Sequence, residues 1–245
     1  MMDQFVQQIK DSQYIVFFGG AGTSTESQIP DFRTADGLYQ KNQDWPHPPE
    51  TMLSKKFFNA NPQQFFAYYR QNLLYPNAKP NGAHRALAQL EAMGKVKAVI
   101  TQNIDGLHQA AGSQEVIELH GSVHRNYCIS CGKRYNLKET LALHGIAPKC
   151  PACNGIVRPD VVLYQEGLDQ DVLQAAINHI LQADMLIVGG TSLIVYPAAG
   201  LLRYFDGDHL VLINKDQTRA DKKAGLVFRQ PIGAFLEEVM THVGV

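Results

Sequence analysis

Short apolar segments alternate with helical patterns along most of this chain, and that alternation limits its fold more than any other feature. The segments 14–18, 96–100, 185–188 and 209–213 are rich in branched aliphatic residues, with helical periodicity between them. Strands of parallel sheets are apolar throughout because helices cover both faces. The sequence therefore predicts an α/β fold with a parallel, doubly wound sheet.

A glycine-rich turn follows the first of these strands. Residues 19–25 read Gly-Gly-Ala-Gly-Thr-Ser-Thr and lead into a predicted helix start rich in hydroxyl groups. Glycine lets backbone N–H groups approach an anion closely, so the turn predicts a nucleotide site. A plain strand-to-helix turn without a ligand is the alternative, because Thr25 replaces the third glycine of the dinucleotide fingerprint.

Polar residues also follow the ends of the other predicted strands. Gln102 and Asn103 come after segment 96–100, residues 190–192 after 185–188, and Asn214 after 209–213. Open α/β sheets bind ligands outside the carboxyl ends of their strands, so we expect these groups to converge on one crevice.

Two further groups could take part in chemistry there. Asn103 and Asp105 suit the orientation of a ligand, although an Asx-type turn into a helix is the simpler interpretation. His120 ends a predicted strand over 116–120 and could accept a proton at neutral pH, although a lone histidine is more often a packed or capping residue. Asn81 is predicted to cap a helix, with His84 in a structural role.

The cysteines form a pattern typical of zinc sites. All four lie between positions 128 and 153, as two Cys-x-x-Cys pairs separated by eighteen residues. This spacing matches a four-thiolate zinc site, with two disulfides as the alternative. Four protein ligands leave no open position, so such a zinc ion would be structural. The predicted ligands are Cys128, Cys131, Cys150 and Cys153.

The composition excludes several other classes of protein. With 45% hydrophobic and 18% charged residues and a net charge of −1, the chain lacks the basic field of a nucleic-acid-binding protein. It has neither a leader-like N-terminus nor an apolar run of the roughly 20 residues that span a bilayer. We expect a cytoplasmic protein with no nucleic-acid or membrane partner. The oligomeric state stays open, with a monomer as the working expectation.

In their order along the chain, these motifs resemble those of the sirtuins, the NAD-dependent protein lysine deacylases. The resemblance covers residues 20–22, 30–33, 101–105, 120–122, the four cysteines, and residues 158–162, 190–193 and 213–214. It implies a Rossmann-like NAD-binding domain over 1–34, 76–122 and 161–245, a helical and loop insert over 35–75, and a zinc-binding small domain over 123–160. It also implies NAD as co-substrate, one structural zinc ion, and acylated-lysine protein substrates bound in the cleft.

The resemblance also implies roles for individual residues. His120 would be the general base, and Asn103 and Asp105 would share the catalytic site by binding the nicotinamide ribose and carboxamide region. The implied cofactor-binding residues are Gly20, Ala21, Gly22, Thr23, Ser24, Asp31, Phe32, Arg33, Gln102, Asn103, Ile104, Asp105, His120, Gly190, Thr191, Ser192 and Asn214. The implied substrate-binding residues, beside which the peptide would add as a strand, are Val162, Leu163, Tyr164 and Val195.

This chain differs from the family pattern at a few positions. Gln28 and Gln165 replace common glycines, and Thr23 replaces a more usual aliphatic residue. Family members that remove succinyl groups carry Tyr-x-x-Arg on the helix over the acyl pocket, whereas here Phe66 is followed three residues later by Tyr69. We therefore expect acetyl and other uncharged acyl groups as substrates; the physiological protein targets cannot be read from the sequence.

Two other functions fit the sequence less well. A dehydrogenase would carry the third glycine and an acidic residue about 20 positions further on, but Asp36 lies only fourteen residues past Gly22. A non-enzymatic NAD-binding or ADP-ribose-binding module has no need of both Asn103 and His120.

Overall fold

The structure is a computed structural model that describes residues 1–32, 37–41 and 45–244, with the backbone alone described at Gln40 and Lys41. Its strands are β1 (Ile15–Gly19), β2 (Val96–Thr101), β3 (Val116–Glu118), β4 (Gly121–Cys128), β5 (Arg134–Asn136), β6 (Val157–Val161), β7 (Met185–Gly189), β8 (His209–Ile213) and β9 (Leu226–Phe228). Its α-helices are α1 (Met2–Asp11), α2 (Leu38–Lys41), α3 (Pro49–Met52), α4 (Lys55–Ala60), α5 (Pro62–Asn72), α6 (Gly82–Ala92), α7 (Leu107–Ala111), α8 (Leu137–Leu141), α9 (Gln170–Gln182) and α10 (Ile232–Val243).

The large sheet consists of six parallel strands in the order β3-β2-β1-β7-β8-β9. After β1, the chain adds β2 and β3 on one side and then β7, β8 and β9 on the other, so the direction of strand addition reverses between β1 and β7. These two strands pair so that Gly19 lies opposite Gly189. Both strands are buried along their whole length, as expected for strands covered on both faces. The predicted doubly wound parallel sheet is confirmed, and the reversal is where such sheets form a ligand crevice.

Two apolar cores cover the faces of this sheet. One core joins the sheet to α1, α6 and α10 and includes the buried side chains of Phe5, Leu87 and Phe235. The other joins it to α9 and the 3-10 segment Ala198–Tyr204. Each fully buried large apolar side chain contributes about 1.5–3 kcal/mol to the free energy of folding. The packed sheet therefore holds the residues at the carboxyl ends of its strands in fixed positions.

Two smaller units are inserted between elements of the large sheet. Helices α3, α4 and α5 enclose an aromatic cluster that includes Phe58, Phe65 and Phe66. The antiparallel sheet β5-β4-β6 forms the lobe that carries the cysteines, as predicted. The division of the chain into domains at the residues given above stays a prediction.

Some local predictions were wrong. The turn after β1 leads into two 3-10 segments, Ala21–Thr23 and Thr25–Ser27, instead of an α-helix. Thr25 Oγ1 donates to the carbonyl oxygen of Gly22 at 3.0 Å, and such side-chain bonds to the backbone compete with a helix. Strand β3 ends at Glu118, two residues before the predicted end, and β9, α3 and α4 were not predicted because they are too short to show a period.

The helices that the structure describes are all too short or too polar to cross a bilayer.

Candidate functional site

A hydrogen-bonded polar cluster lies at the carboxyl edge of the large sheet, next to the reversal between β1 and β7. Ser24 Oγ donates to Asp105 Oδ2 at 2.7 Å and accepts from Asn103 Nδ2 at 3.0 Å. The backbone N–H of Asn103 donates to Thr101 Oγ1 at 3.0 Å, which fixes Asn103 to the end of β2. The structure therefore brings Ser24, predicted from the turn after β1, together with Asn103 and Asp105, predicted from the segment after β2.

A second chain of hydrogen bonds extends this cluster across the ends of β7 and β8. Gln102 Nε2 donates to Thr191 Oγ1 at 3.1 Å, and the backbone N–H of Thr191 donates to Asn214 Oδ1 at 2.9 Å. The backbone N–H of Gly190 donates to the carbonyl oxygen of Ile213 at 3.1 Å. The predicted convergence of the strand ends is thus confirmed for Gln102, Thr191 and Asn214.

The glycines have a different local role from the one expected. The N–H of Gly22 donates to the carbonyl oxygen of Gly190 at 2.8 Å, so it does not point towards an open anion site. A Cβ on Gly22 would lie 2.8 Å from the Cα of Gly190, and one on Gly190, whose φ is +58°, would lie 2.2 Å from the nitrogen of Thr23. Glycine is required here because the two turns pack backbone against backbone.

The ring of His120 has a defined orientation and tautomer. Its Nδ1 lies 2.9 Å from the carbonyl oxygen of Gln102. Because a carbonyl oxygen only accepts hydrogen bonds, Nδ1 must carry the proton, and in the neutral ring Nε2 keeps a free lone pair. Burial lowers the pKa of His120, and the bond to Gln102 partly opposes this. His120 is therefore neutral at pH 7, with Nε2 able to accept a proton.

Asp105 is the acidic group of the cluster. Burial raises the pKa of its carboxyl group, whereas the hydrogen bonds from Ser24 and from the backbone N–H of Leu107 lower it. His124 Nε2, on β4, donates to the backbone oxygen of Asp105 at 3.0 Å, and the N–H of Val123 donates to that of Ile104 at 3.0 Å. These bonds connect the cluster to the cysteine-bearing lobe.

The predicted substrate segment is fixed to both neighbouring units. The N–H of Val162 donates to the carbonyl oxygen of His120 at 3.0 Å. The N–H of Tyr164 donates to the carbonyl oxygen of Leu53 at 3.1 Å, and its carbonyl oxygen accepts from the N–H of Lys55 at 3.0 Å. Tyr164 is 39% exposed, so its ring is available to a ligand.

An ion pair between the buried Arg158 and the partly buried Glu166 supports this segment and was not predicted. Arg158 donates from Nη1 and Nη2 to the two carboxylate oxygens of Glu166, at 2.9 and 3.0 Å. Glu166 Oε2 also accepts from the N–H of Leu163 at 2.9 Å, and the pKa of Glu166 is lowered by Arg158 and this N–H despite partial burial. A sequence signal existed, since Arg158 and Glu166 flank the predicted substrate residues.

The four cysteines form a candidate metal centre. Their Sγ atoms all lie within 4.8 Å of one another, with Cys128 and Cys153 3.4 Å apart and Cys131 and Cys150 3.7 Å apart. Zinc–sulfur bonds of about 2.3 Å in a tetrahedron put the sulfur atoms roughly 3.8 Å apart. A disulfide would need about 2.05 Å, and all four cysteines are free. The four thiolates therefore fit a zinc ion and leave no open position.

The remaining predicted residues are less closely joined to the cluster. The ring of Phe32 lies 6.3 Å from that of Tyr39, and the carbonyl oxygen of Asp31 accepts from the N–H of Leu38 at 2.8 Å. Ser192 is exposed and Val195 is half-buried, while Arg33 lies outside the described residues. Their assignment to the site stays a prediction.

The sequence did not predict the contact between Asn81 and the turn after β1. Asn81 was predicted only as a helix cap, but its side-chain amide also contacts the turn that carries Ser24. An asparagine at an N-cap position gives no sign of a bond to a segment more than 50 residues away.

Comparisons with known proteins identify a matching family and related structures. The Sir2 family model matches residues 20–197. The NAD-dependent protein deacetylase of Clostridium perfringens is 58% identical over 233 residues, which cover 95% of each chain. The solved structure described as Sir2-p53 peptide-NAD+ is 39% identical, with a TM-score of 0.86 over 99% of this chain and 98% of that chain. The structure of Sir2Tm bound to a propionylated peptide is 38% identical, with a TM-score of 0.87 over 98% of each chain.

Proposed function

The chain belongs to the Sir2 family and is an NAD-dependent protein deacetylase, and we propose that the polar cluster at the reversal between β1 and β7 is its catalytic site. One observation carries this proposal: Ser24, Asn103 and Asp105 are joined by hydrogen bonds at the same sheet edge where Gln102 orients His120. These are the polar groups that a nicotinamide ribose needs, next to a neutral base.

Asn103 and Asp105 are proposed to bind the nicotinamide end of NAD. The Asp105 carboxyl group offers an acceptor to a ribose hydroxyl or the carboxamide, and Asn103 offers an amide that Ser24 already orients. The turns that meet at Gly22 and Gly190 are proposed to lie beside the phosphates, with Asn214 towards the adenosine.

His120 is proposed to act as the general base through Nε2. In the reaction, the acyl oxygen attacks C1′ of the nicotinamide ribose, nicotinamide leaves, and a base then removes a proton from a ribose hydroxyl. The bond from Nδ1 to Gln102 keeps the lone pair of Nε2 free for that proton, and the lowered pKa keeps the ring neutral. The deprotonated ribose oxygen then attacks the acyl carbon, and one water molecule adds to that carbon so that the lysine amine leaves. The products are nicotinamide, O-acyl-ADP-ribose and the deacylated lysine.

Zinc is proposed to have a structural role in the lobe. The four thiolates fill a tetrahedral coordination sphere, so a bound zinc ion would hold the ends of β4 and β6 together. Through β4, the lobe supports the backbone of Ile104 and Asp105.

Acetyl groups and other uncharged acyl groups fit the aromatic surroundings of α5. Phe66 and Tyr69 are buried in the aromatic cluster, and neither supplies a positive charge. Arg70 is on the same helix, but its guanidinium donates to the carbonyl oxygen of Gly145 at 3.4 Å in the lobe. We propose acyl-lysine side chains of proteins as substrates, whereas a cytoplasmic location stays a prediction.

Nicotinamide release, measured with and without an acetylated peptide, tests this function. Release that requires both NAD and the acetyl group is expected, and His120→Ala should abolish it while the control His242→Ala, an exposed residue of α10, keeps it. The acid limb of kcat/KM should lie below pH 6.5, because the base must be neutral and the pKa of His120 is lowered.

Other outcomes would contradict the proposal. Peptide-independent release would indicate an NAD hydrolase or an ADP-ribosyltransferase, and no release would indicate a binding module. Full activity of His120→Ala would refute the assigned base, and faster removal of succinyl than of acetyl from the same peptide would refute the acyl preference.

A further inference from the structure

We propose that Asn81 is a positioning residue that holds the turn carrying Ser24 in the shape that binds NAD. This inference rests on the proposed function. Asn81 Nδ2 donates to the carbonyl oxygen of Thr23 at 2.8 Å and to Ser27 Oγ at 3.0 Å. One amide group therefore holds the turn on both sides of Ser24.

The orientation of this amide is fixed by the start of α6. Asn81 Oδ1 accepts from the N–H of Ala83 at 2.9 Å, and the backbone N–H of Asn81 donates to His84 Nδ1 at 3.2 Å. A flipped amide would lose the bond to Ala83 and set its oxygen against the carbonyl oxygen of Thr23. Asn81 is 8% exposed, and the adjoining Ala83 and His84 are fully buried. The anchor is therefore part of the core.

The turn itself needs such an anchor. Between Gly20 and Gln28 it consists of two three-residue 3-10 segments, which have poorer hydrogen-bond geometry than an α-helix. Ser24 lies between them and makes the bonds to Asn103 and Asp105. A shift of the 23–27 segment would break that pair of bonds first, so loss of Asn81 should weaken NAD binding before it affects the peptide.

Asn81→Ser tests this role, because serine keeps an oxygen that can cap α6 but lacks both amide N–H groups. The matched control is Asn136→Ser: Asn136 caps α8 in the cysteine-bearing lobe through the same type of capping box. We expect the KM for NAD to rise about tenfold in Asn81→Ser, as for the loss of two buried hydrogen bonds. The KM for the acetylated peptide should stay within about twofold, and Asn136→Ser should change neither constant by more than that.

Ser27→Ala is a second variant that does not involve the helix cap. It removes one of the two bonds from Asn81 and should raise the KM for NAD about threefold. In the double variant Asn81→Ser/Ser27→Ala, the KM for NAD should equal that of Asn81→Ser alone, because Ser27 acts through Asn81. This variant keeps the inference testable even where Asn81→Ser fails to fold.

Several results would overturn the positioning role. One is an Asn81→Ser enzyme with a lower melting temperature but an unchanged KM for NAD. Another is a Ser27→Ala enzyme with an unchanged KM for NAD. The third is a double variant in which the two increases in the KM for NAD multiply. If the wild-type protein released no nicotinamide, the proposed function itself would fail. Calorimetric titration with NAD would then test the positioning role of Asn81. A tenfold weaker affinity for NAD in Asn81→Ser would support that role, and equal affinity or no binding would overturn it.

Discussion

Two buried histidines, His84 and His108, should make the free energy of unfolding decrease at acid pH. Replacing His108 by leucine should remove about half of that decrease. His108 has both ring nitrogens buried without a hydrogen-bond partner among the described residues, and its ring centre lies 4.6 Å from that of His84. Burial holds the pKa of His108 well below its usual range and lowers the pKa of His84 to about 4. Both rings therefore stay neutral in the folded protein.

The magnitude follows from proton linkage. An unfolded histidine binds protons with a pKa of about 6.5, so each ring that stays neutral on folding costs about 0.1 kcal/mol at pH 7.5 and about 1.4 kcal/mol at pH 5.5. His84 and His108 together should lower the free energy of unfolding by about 2.7 kcal/mol between these two pH values. Because the folded pKa values are depressed, this stability is nearly complete at pH 7.5, begins to fall near the unfolded pKa of about 6.5, and is lost further as the pH falls towards the folded values.

Urea unfolding followed by circular dichroism at pH 7.5 and pH 5.5 measures the effect. His108→Leu should lose about 1.4 kcal/mol less than the wild type over that range, and His242→Gln, at an exposed position, should behave as the wild type. Other titrating groups cancel in the comparison. An equal loss in His108→Leu and the wild type would refute the reasoning, because it would mean that the ring gains its proton inside the fold.

Three further changes test other contacts. Glu26→Ala removes the carboxylate that accepts the N–H groups of Gly233 at 2.7 Å and Ala234 at 3.0 Å, so urea melts should show a loss of about 1–2 kcal/mol. The control Glu237→Ala breaks only the exposed ion pair between Glu237 on α10 and Arg85 on α6 and should cost less than about 1 kcal/mol, and equal losses would contradict the role of Glu26 as the acceptor at the N-terminus of α10. Gln28→Gly should raise the free energy of unfolding by up to about 1 kcal/mol, because φ is +65° at Gln28, and clear destabilisation in thermal melts would argue against strain there. Cys150→Ser should abolish zinc binding and expose the lobe to proteases, and a folded variant with full zinc content by mass spectrometry would contradict the four-ligand site.

The sequence predicted the parts of this fold that depend on local pattern. The strands of the large sheet follow from their apolar segments, and the capping role of Asn81 with His84 follows from their spacing. The zinc ligands follow from the cysteine spacing, because two Cys-x-x-Cys pairs define a site almost alone.

Contacts between distant segments could not be predicted in this way. The packing of Gly22 against Gly190 joins two turns that are far apart in the chain, and neither segment shows that it will meet the other. The requirement for glycine that this packing creates was therefore not predicted, whereas the place of these turns beside NAD stays a prediction.

The departures from the family pattern have a backbone explanation. Gln28 and Gln165 stand where the resemblance to sirtuins led us to expect glycine, and both have positive φ values, +65° and +74°. Glycine is favoured there because it lacks a Cβ. Gln165 Oε1 accepts the N–H of Lys56 at 3.2 Å, which offsets part of the strain, so the chain keeps the turn with a different residue.

The pairing of β1 with β7 has a consequence for how the protein is made. Ile15 lies opposite Met185, so the strand at the centre of the sheet is synthesised long before one of its two neighbours. At a translation rate of about 5–20 residues per second, roughly 10–30 s pass between the emergence of the two strands. For roughly the first half of that interval β1 has neither neighbour; once β2 has followed, β1 can pair with it on one side, but its other edge still has no partner. The nascent chain therefore has a defined period in which chaperone binding would protect it from aggregation, and that period ends when β7 leaves the ribosome.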